Sequence, residues 1–385
     1  MNIIFCHDGP VNCDKNNRFS CIGFNDKMFM GYERIFGKVN FVTRVKHNKN
    51  YVESDKLSVD RYRVIEYPNY LNLKGIFADK SASNQVLENE IAKCDGLIIR
   101  LPSFLGSRCV KIAKKYNKPY MIELVGCPWD ALRKHSLSGK ILAPYMYFRT
   151  KAQVKTASHV LYVTDKFLQG RYPTNGLQVA CSDVEIQNGN ESVVDERKKT
   201  DSMNIVVGSI GKIDLRYKGH ATVIEAIKLL KKEGYKVQYQ IVGPGDKTYL
   251  EKIAKKNGVS ENVVFLGAMG HNDIFTWLSS IDLYVHPSLT EAMPRALIEA
   301  MSKGCPCIAS DAGGMPELLD KEFIFKKGKA KQLVDIIKNA NKNKLYEQGE
   351  RNRDFTNKFM PCVLKEIRDD FYKKFKASVK EQYDV

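Results

Sequence analysis

The sequence predicts an α/β protein built from two doubly wound, Rossmann-like domains that face each other across a cleft. Three observations carry this expectation. Short β-branched or aromatic runs alternate with helical stretches along the chain, the pattern of parallel sheets covered by helices on both faces. The 385 residues are too many for one ordinary α/β domain and suit two. A polar break at 187–202 contains Asn188-Gly189-Asn190 and a charged run at 195–201 but few apolar anchors, which marks a linker. The expected divisions are an N-terminal domain at 1–188, a C-terminal domain at 189–360, and a tail at 361–385. The tail reads as a long charged helix, 361–380, that returns to the first domain.

In the first half, strands are expected at 2–6, 39–45, 62–67, 96–101, 120–125 and 159–164, with a polar-faced helix at 107–116. In the second half they are expected at 204–209, 237–242, 263–266, 283–286 and 307–310, separated by helices at 221–233, 248–257, 272–279 and 296–303. A hydrophobic content of 43% supports full cores. No run of about 18 apolar residues is present, so no spanning helix is expected. The opening Met1-Asn2-Ile3-Ile4-Phe5-Cys6 turns polar too early for a signal peptide and reads as a first strand. The ten cysteines include no Cys-x-x-Cys pair. Cys305 and Cys307 flank a proline inside an apolar run, where they read as small buried hydrophobes. Reduced thiols and a cytoplasmic location are therefore expected, and the basic segment 133–151 raises a peripheral place on the inner membrane face as one option.

The formal charge is +17. Residues 1–190 hold 28 Lys and Arg against 17 Asp and Glu, and the remainder holds 33 against 27. The surplus in the first half points to an anionic partner such as a membrane surface, a lipid phosphate or nucleic acid. A solvated lysine-rich surface explains it equally well, because bulk charge speaks to association and not to fold.

In doubly wound sheets ligands sit beyond the carboxyl ends of the strands, so the loops after the second-half strands are where chemistry is expected. The richest runs from Pro287 to Met301. A proline at the first helical position places a helix start near Pro294, and Gly304 is a natural stop. The amides of Arg295 and Ala296 then lack partners within the helix and form an anion site with the helix dipole. Glu291 lies before this helix. Glu299 lies more than one turn inside it, off the apolar stripe of Ala296, Leu297, Ala300 and Met301. Carboxylates accept paired hydrogen bonds and suit vicinal sugar hydroxyls. On spacing alone, an ordinary amphipathic helix accounts for the same residues.

A second loop, Gly211-Lys212, is followed by Lys218-Gly219 opening a helix, so two cations are placed to meet one phosphate group. It lacks the spacing of a P-loop, and taken alone these are also ordinary surface lysines. Gly243 and Gly245 follow another strand, and Gly313-Gly314-Met315-Pro316-Glu317 follows a third. Glycines there permit tight turns or close backbone approach.

Taken in order, these pieces resemble a known pattern. Gly211-Lys212 with Lys218-Gly219, Ile241-Val242-Gly243-Pro244-Gly245, Val264-Phe265-Leu266-Gly267, the Glu-x7-Glu of Glu291 and Glu299, and Gly313-Gly314-Met315-Pro316-Glu317-Leu318 are similar to the C-terminal domain of the retaining, GT-B fold glycosyltransferases of family 4. This is the glycosyl transferases group 1 family, which includes many bacterial surface-polysaccharide enzymes. The resemblance implies that Lys212 and Lys218 hold the diphosphate of a nucleotide sugar, a UDP- or GDP-sugar, and that no prosthetic group is needed. Family members usually have arginine at the position of Lys212, and lysine keeps the charge but loses the bidentate fork. The resemblance further implies that Glu299 binds the ribose and Glu291 the transferred sugar. The turn Ala292, Met293, Arg295 and Ala296 would offer backbone amides, and Gly211, Gly243 and Gly267 would line the nucleotide.

The first half resembles the family less. Asn188-Gly189 looks like the usual pair before the interdomain crossing. Many members carry a functional histidine after a middle strand of the N-terminal domain. Here the comparable stretch reads Glu123-Leu124-Val125-Gly126-Cys127-Pro128-Trp129-Asp130, without one. His7, Gly9, Arg100, Glu123, Trp129 and Asp130 are candidates for contact with the acceptor or donor sugar, each with an alternative as a turn residue or buried partner.

The resemblance implies transfer with retention through an oxocarbenium-like transition state, the departing phosphate accepting the acceptor's proton on the same face. Lys212, Lys218 and the helix start would stabilise the charge growing on the diphosphate. No Asp-x-Asp is present, so no metal site is expected. The implied acceptor is a glycan or lipid-linked saccharide, such as a polyprenyl-diphosphate-linked one. The segment 133–151 frames aromatic and aliphatic residues with cations, which suits an anionic membrane surface; a helix buried on the sheet with a basic rim is the alternative. A sugar-nucleotide epimerase or phosphorylase-like enzyme shares the fold, but Glu-x7-Glu favours transfer. A nucleic-acid-binding protein would need a module that is not found, so no nucleic acid is expected. A dehydrogenase would need Gly-x-Gly-x-x-Gly after the first strand.

Overall fold

The computed structural model describes residues 1–9, 11–16, 19–21, 26–47, 56–57, 63–68, 80–135, 137–186 and 204–383. The expected break at 187–202, with Asn188-Gly189, lies outside the described residues. Among the described residues the N-terminal half forms one sheet of ten strands: β1 (Ile3–Cys6), β2 (Val11–Cys13), β3 (Phe19–Ser20), β4 (Val39–His47), β5 (Lys56–Leu57), β6 (Val64–Pro68), β7 (Gly96–Leu101), β8 (Tyr120–Leu124), β9 (His159–Tyr162) and β10 (Leu177–Ala180). Its parallel core runs in the order β6-β4-β1-β7-β8-β9-β10. The short β2, β3 and β5 extend it beyond β4. The C-terminal half forms an all-parallel sheet from β11 (Asn204–Ile210), β12 (Lys236–Val242), β13 (Val263–Gly267), β14 (Leu283–His286), β15 (Cys307–Ser310) and β16 (Ile324–Phe325), ordered β13-β12-β11-β14-β15-β16. In each half the strand order reverses beside the first strand. That is the switch point of a doubly wound sheet, where ligands bind.

Sequence and packing agree on why these strands form. β7, Gly-Leu-Ile-Ile-Arg-Leu, and β14, Leu-Tyr-Val-His, are nearly or wholly buried, because helices cover both faces of a parallel sheet. On one face of the first sheet lie α2 (Ser81–Lys93) and α3 (Phe104–Lys115), which contribute Leu87, Ile91, Leu105, Cys109 and Val110. The other face is covered by α1 (Asp26–Phe36) and by the last helix of the chain. Between α3 and β9 come α4 (Pro128–His135) and α5 (Leu137–Lys155), and α6 (Phe167–Arg171) follows β9. The second sheet is covered by α7 (His220–Lys232), α8 (Thr248–Asn257) and α11 (Ala330–Asn339) on one face, and by α9 (His271–Ser280) and α10 (Arg295–Ser302) on the other. After α12 (Lys342–Phe355) the chain crosses back as α13 (Pro361–Tyr383), whose Phe371, Tyr372, Phe375 and Val379 enter the first core.

The second-half strands and helices fall within a residue or so of the expected bounds. The strands not foreseen, β2, β3, β5, β10 and β16, have two to four residues, too short to show alternation. One expectation is corrected in detail. Pro294 is not the first helical residue but the residue before it, with φ −83° and ψ 98°, and its carbonyl accepts the first intrahelical bond from Ile298 N at 3.2 Å. Nine cysteines are buried thiols and Cys362 is exposed.

Candidate active site

The site is built on the switch point between β11 and β14. Gly211 closes β11 and donates its amide to Val242 O at 2.9 Å; Gly243 donates to Gly267 O at 2.7 Å. A Cβ on Gly243 would stand 2.1 Å from Gly211 O, so a side chain there would force the loops after β11 and β12 apart. Lys212, next along, is exposed. The chain turns at Arg216–Lys218 into Gly219, whose φ of +77° suits glycine. A Cβ on Gly219 would stand 2.0 Å from Pro287 O, and Leu289 N donates to Tyr217 O at 2.7 Å. The lysine turn is thereby locked onto the loop after β14, and Lys218 Nζ comes to rest 3.3 Å from Glu291 Oε2.

Both partners are recessed, with side chains 20% and 17% exposed. Burial raises the pKa of Glu291, while Lys218 and the Ser288 hydroxyl pull it back. The backbone of Glu291 rests on the turn after β15. Gly313 has φ +62°, and a Cβ there would meet Glu291 O at 1.6 Å; Gly314 N donates to Ala292 O at 3.1 Å. Met293 packs against cores of both halves. The amides of Arg295 and Ala296 precede the first intrahelical bond, which Ile298 makes, and so have no acceptor within α10. Arg295 is exposed, while Ala296 and Glu299 are half-buried. Lys218, Glu291 and the glycines of three strand ends are therefore gathered at one switch point.

The same segment ties the halves together. The Glu317 carboxylate accepts from Asp165 N at 2.7 Å and from Phe167 N at the start of α6. Lys358 Nζ meets Asp165 Oδ2 at 2.7 Å.

Comparison with known proteins agrees with the fold. The family model described as glycosyl transferases group 1 matches residues 192–358. Protein CapJ of Staphylococcus aureus is 37% identical over 362 residues, covering 93% of this chain and 90% of that one. This chain belongs to the group 1 glycosyl transferases. The putative teichuronic acid biosynthesis glycosyltransferase TuaC of Bacillus subtilis is 24% identical, covering 60% of this chain and 57% of that one. Among solved structures, sucrose-phosphate synthase of Thermosynechococcus elongatus has a TM-score of 0.68 at 15% identity, covering 98% of this chain and 100% of that one. The Anabaena protein Alr3699/HepE in complex with UDP has a TM-score of 0.64 at 16% identity, covering 95% and 98%. At such identities the likeness fixes the fold, which is GT-B. The protein is thus a glycosyltransferase, an enzyme that takes its sugar from a nucleotide sugar.

In the N-terminal half of this glycosyltransferase the candidates prove to be engaged with one another or with neighbouring side chains. His7 Nδ1 accepts from Gly9 N at 3.0 Å, and burial, then Arg100 and Arg44, holds its pKa well below the ordinary value. The Gly9 carbonyl accepts from the Thr43 hydroxyl at 2.7 Å. Glu123 requires a correction. Its side chain is 3% exposed and accepts from Tyr32, from Tyr372 of α13 and from Arg100 Nε at 3.0 Å. It is a buried post joining α1, β7, β8 and the returning helix, and its accepting capacity is spent there. Arg100 also faces Asp183 at 3.7 Å. Asp130 is paired with Arg171 at 2.6 Å, and Trp129 lies under the Arg133 guanidinium, 4.9 Å from its ring centroid, and packs on Tyr147.

Sequence reading passed over His220, His286 and Ser288, all buried beside Lys218 and Glu291. The signal was available: two of them are polar residues closing or following the apolar strand Leu283–His286. Asp8 was also passed over. Its Oδ2 accepts from Phe104 N at 3.1 Å and Leu105 N at 3.3 Å, the first amides of α3.

Proposed function

We propose that this protein is a retaining glycosyltransferase that moves a sugar from a UDP- or GDP-sugar to a glycan or lipid-linked saccharide in bacterial capsule, O-antigen or exopolysaccharide synthesis. The observation that carries the reading is the recessed Lys218–Glu291 pair, 3.3 Å apart, beside the unpaired amides that open α10. A lysine and a helix start supply positive charge where the leaving diphosphate becomes more negative. Glu291 offers oxygens to the hydroxyls of the transferred sugar, and Glu299, further along α10, to the ribose. With that charge supplied by the protein, turnover is expected to survive EDTA. The UDP in the HepE structure and the teichuronic acid role in TuaC's name support a nucleotide donor and a surface-polysaccharide product here.

The test is a thermal-shift panel of UDP, GDP, ADP and their sugars, since a ligand that binds the folded state stabilises it by mass action. UDP or GDP should stabilise the protein, and no shift with any of them would defeat the proposal. Glu299→Ala should weaken nucleotide binding itself, whereas Glu291→Ala should mainly lower turnover; the reverse would exchange their roles.

A membrane-borne acceptor is supported by α5. Leu137, Ile141, Tyr145 and Phe148 are 77%, 84%, 55% and 66% exposed and share one face by helical spacing. Lys140, Arg149, Lys151 and Lys155 accompany them. We expect co-sedimentation with phosphatidylglycerol vesicles, weakened by neutralising Arg149, Lys151 and Lys155. Equal recovery on phosphatidylcholine would refute the membrane reading.

A further inference from the structure

The turn after β15 touches both halves of the molecule at once. On one side Gly314 N donates to Ala292 O at 3.1 Å, and a Cβ on Gly313 would meet Glu291 O at 1.6 Å. On the other side the Glu317 carboxylate accepts from Asp165 N at 2.7 Å and from Phe167 N, the amides just before and at the start of α6 in the N-terminal half. Gly314 is pinched between the two. A Cβ there would stand 2.5 Å from Ala292 O and 3.2 Å from Thr164 Cγ2, and the Gly314 carbonyl accepts from Glu317 N at 3.0 Å. Hydrogen bonds therefore run without a gap from α6 through Glu317 and Gly314 to the backbone beside Glu291.

The amides show why a carboxylate stands there. The first N–H groups of a helix have no acceptor within it. At α6 the Thr164 hydroxyl takes Leu168 N at 3.0 Å, whereas Asp165 N and Phe167 N are taken by Glu317, 152 and 150 residues away in the other half. Bonds from amides to a carboxylate are charge-assisted and stronger than neutral ones. Lys358 Nζ lies 2.7 Å from Asp165 Oδ2 at the same spot, but those side chains are 36% and 47% exposed, so that ion pair adds little. Met293, two residues after Glu291, packs against the cores of both halves.

We propose that Glu317 is a positioning residue for the reaction. By holding the start of α6 it fixes the N-terminal half against the turn on which the backbone of Glu291 rests, so that the sugar-binding carboxylate is set only when the two halves are joined. This rests on the reading of Glu291 as the sugar-binding carboxylate. The other donor-binding groups proposed above, Lys218, Glu299 and the start of α10, all belong to the C-terminal half. Loss of the Glu317 contact therefore leaves the nucleotide bound and misplaces the sugar, which separates turnover from affinity.

The test measures kcat by release of UDP from UDP-glucose or of GDP from GDP-mannose, whichever the wild type turns over. Beside it stand the thermal shift given by the free nucleotide and hydrogen exchange followed by mass spectrometry. Glu317→Ala should lower kcat about tenfold, the scale of one lost charge-assisted hydrogen bond, with the nucleotide shift unchanged and the donor KM within about twofold. Exchange should rise at 164–168, where the amides lose their acceptor, and also in the peptide that holds Gly314, whose amide bonds to Ala292. Glu317→Gln keeps the reach and one accepting oxygen and should recover most of kcat. Glu317→Asp keeps the charge but is shorter by one methylene; it should behave as alanine does, which keeps the test decisive if Glu317→Ala folds poorly. Wild-type kcat in Glu317→Ala and Glu317→Asp, a nucleotide shift lost along with kcat, or a rise in exchange confined to 164–168 would each overturn the proposal. Glu291→Gln separates the two layers: full activity there defeats the role of Glu291, whereas an inactive Glu291→Gln beside wild-type kcat in Glu317→Asp defeats only the role of Glu317.

Discussion

The two halves place the same elements around the same gap. In one, β1 lies between β4 and β7, and α3 begins just after β7. In the other, β11 lies between β12 and β14, and α10 begins after β14. Each gap thus has a helix start beside it and a loop from the first strand reaching across. In the N-terminal half that loop delivers Asp8, which accepts from the first amides of α3 and from the buried Arg44. The positive end of the helix has already met its anion. In the C-terminal half the corresponding loop delivers Gly211 and Lys212, and the next turn delivers Lys218. Among the described residues no carboxylate accepts from the amides of Arg295 and Ala296, and Lys218 stands at Glu291 in the loop before α10. One topology therefore yields a helix start met by Asp8 and another at which we propose that the diphosphate binds, and the difference follows whether the first loop carries Asp or Gly-Lys.

The sharpest way to break this comparison is Lys218→Ala. It should lower kcat/KM by about 10²–10³, the scale for losing one donor to developing charge, and should abolish the thermal shift given by UDP or GDP. Retention of both would mean that the open gap is not the donor site.

The converse change is Asp8→Ala, which empties the filled gap and removes the carboxylate beside Arg44, whose side chain is 7% exposed and keeps its bonds to the residue 8 carbonyl. Urea unfolding should show a loss of about 1–3 kcal/mol, since partly buried donors lose their acceptor. The nucleotide shift of the folded protein should be unchanged. A nucleotide shift lost together with Asp8 would place the donor in the wrong half.

A smaller effect separates the gaps by pH. His220 and His286, both at the C-terminal gap, have folded pKa values lowered from 6.5 to about 4 and about 3. A lowered folded value means that the unfolded chain binds the proton first, so their stabilisation is present above pH 6.5 and is lost as pH falls toward 4 and 3. Each costs up to about 1.4 kcal/mol per pH unit in that window. Tm measured from pH 7 to 4 should fall, and His220→Gln should flatten the slope. An unchanged slope would show that His220 is not held neutral by burial.

Much of this was legible in the residues. The strands Leu283–His286 and Cys307–Ser310 and the helix Thr248–Asn257 fall where apolar runs and flanking breakers put them, because a strand buried on both faces must be apolar throughout. Glu291, Lys218 and the paired glycines were legible as a series of strand-following loops. The N-terminal candidates were not, since a glutamate at the end of an apolar strand reads the same whether it meets substrate or a tyrosine. Glu123 meets Tyr372, 249 residues away, and no local period encodes such a pairing.

By itself the sequence determined which segments become strands and helices, where the loops carry cations and carboxylates, and, through ordered motifs, the family. Only the tertiary structure decided which charges neutralise each other. It closed the first gap with Asp8, spent Glu123 on two tyrosines and an arginine, and set Lys218 against Glu291. The reason is physical. Secondary structure follows from short-range sterics and burial patterns, whereas the partner of a buried polar group is fixed by which strand ends the topology brings within hydrogen-bond reach.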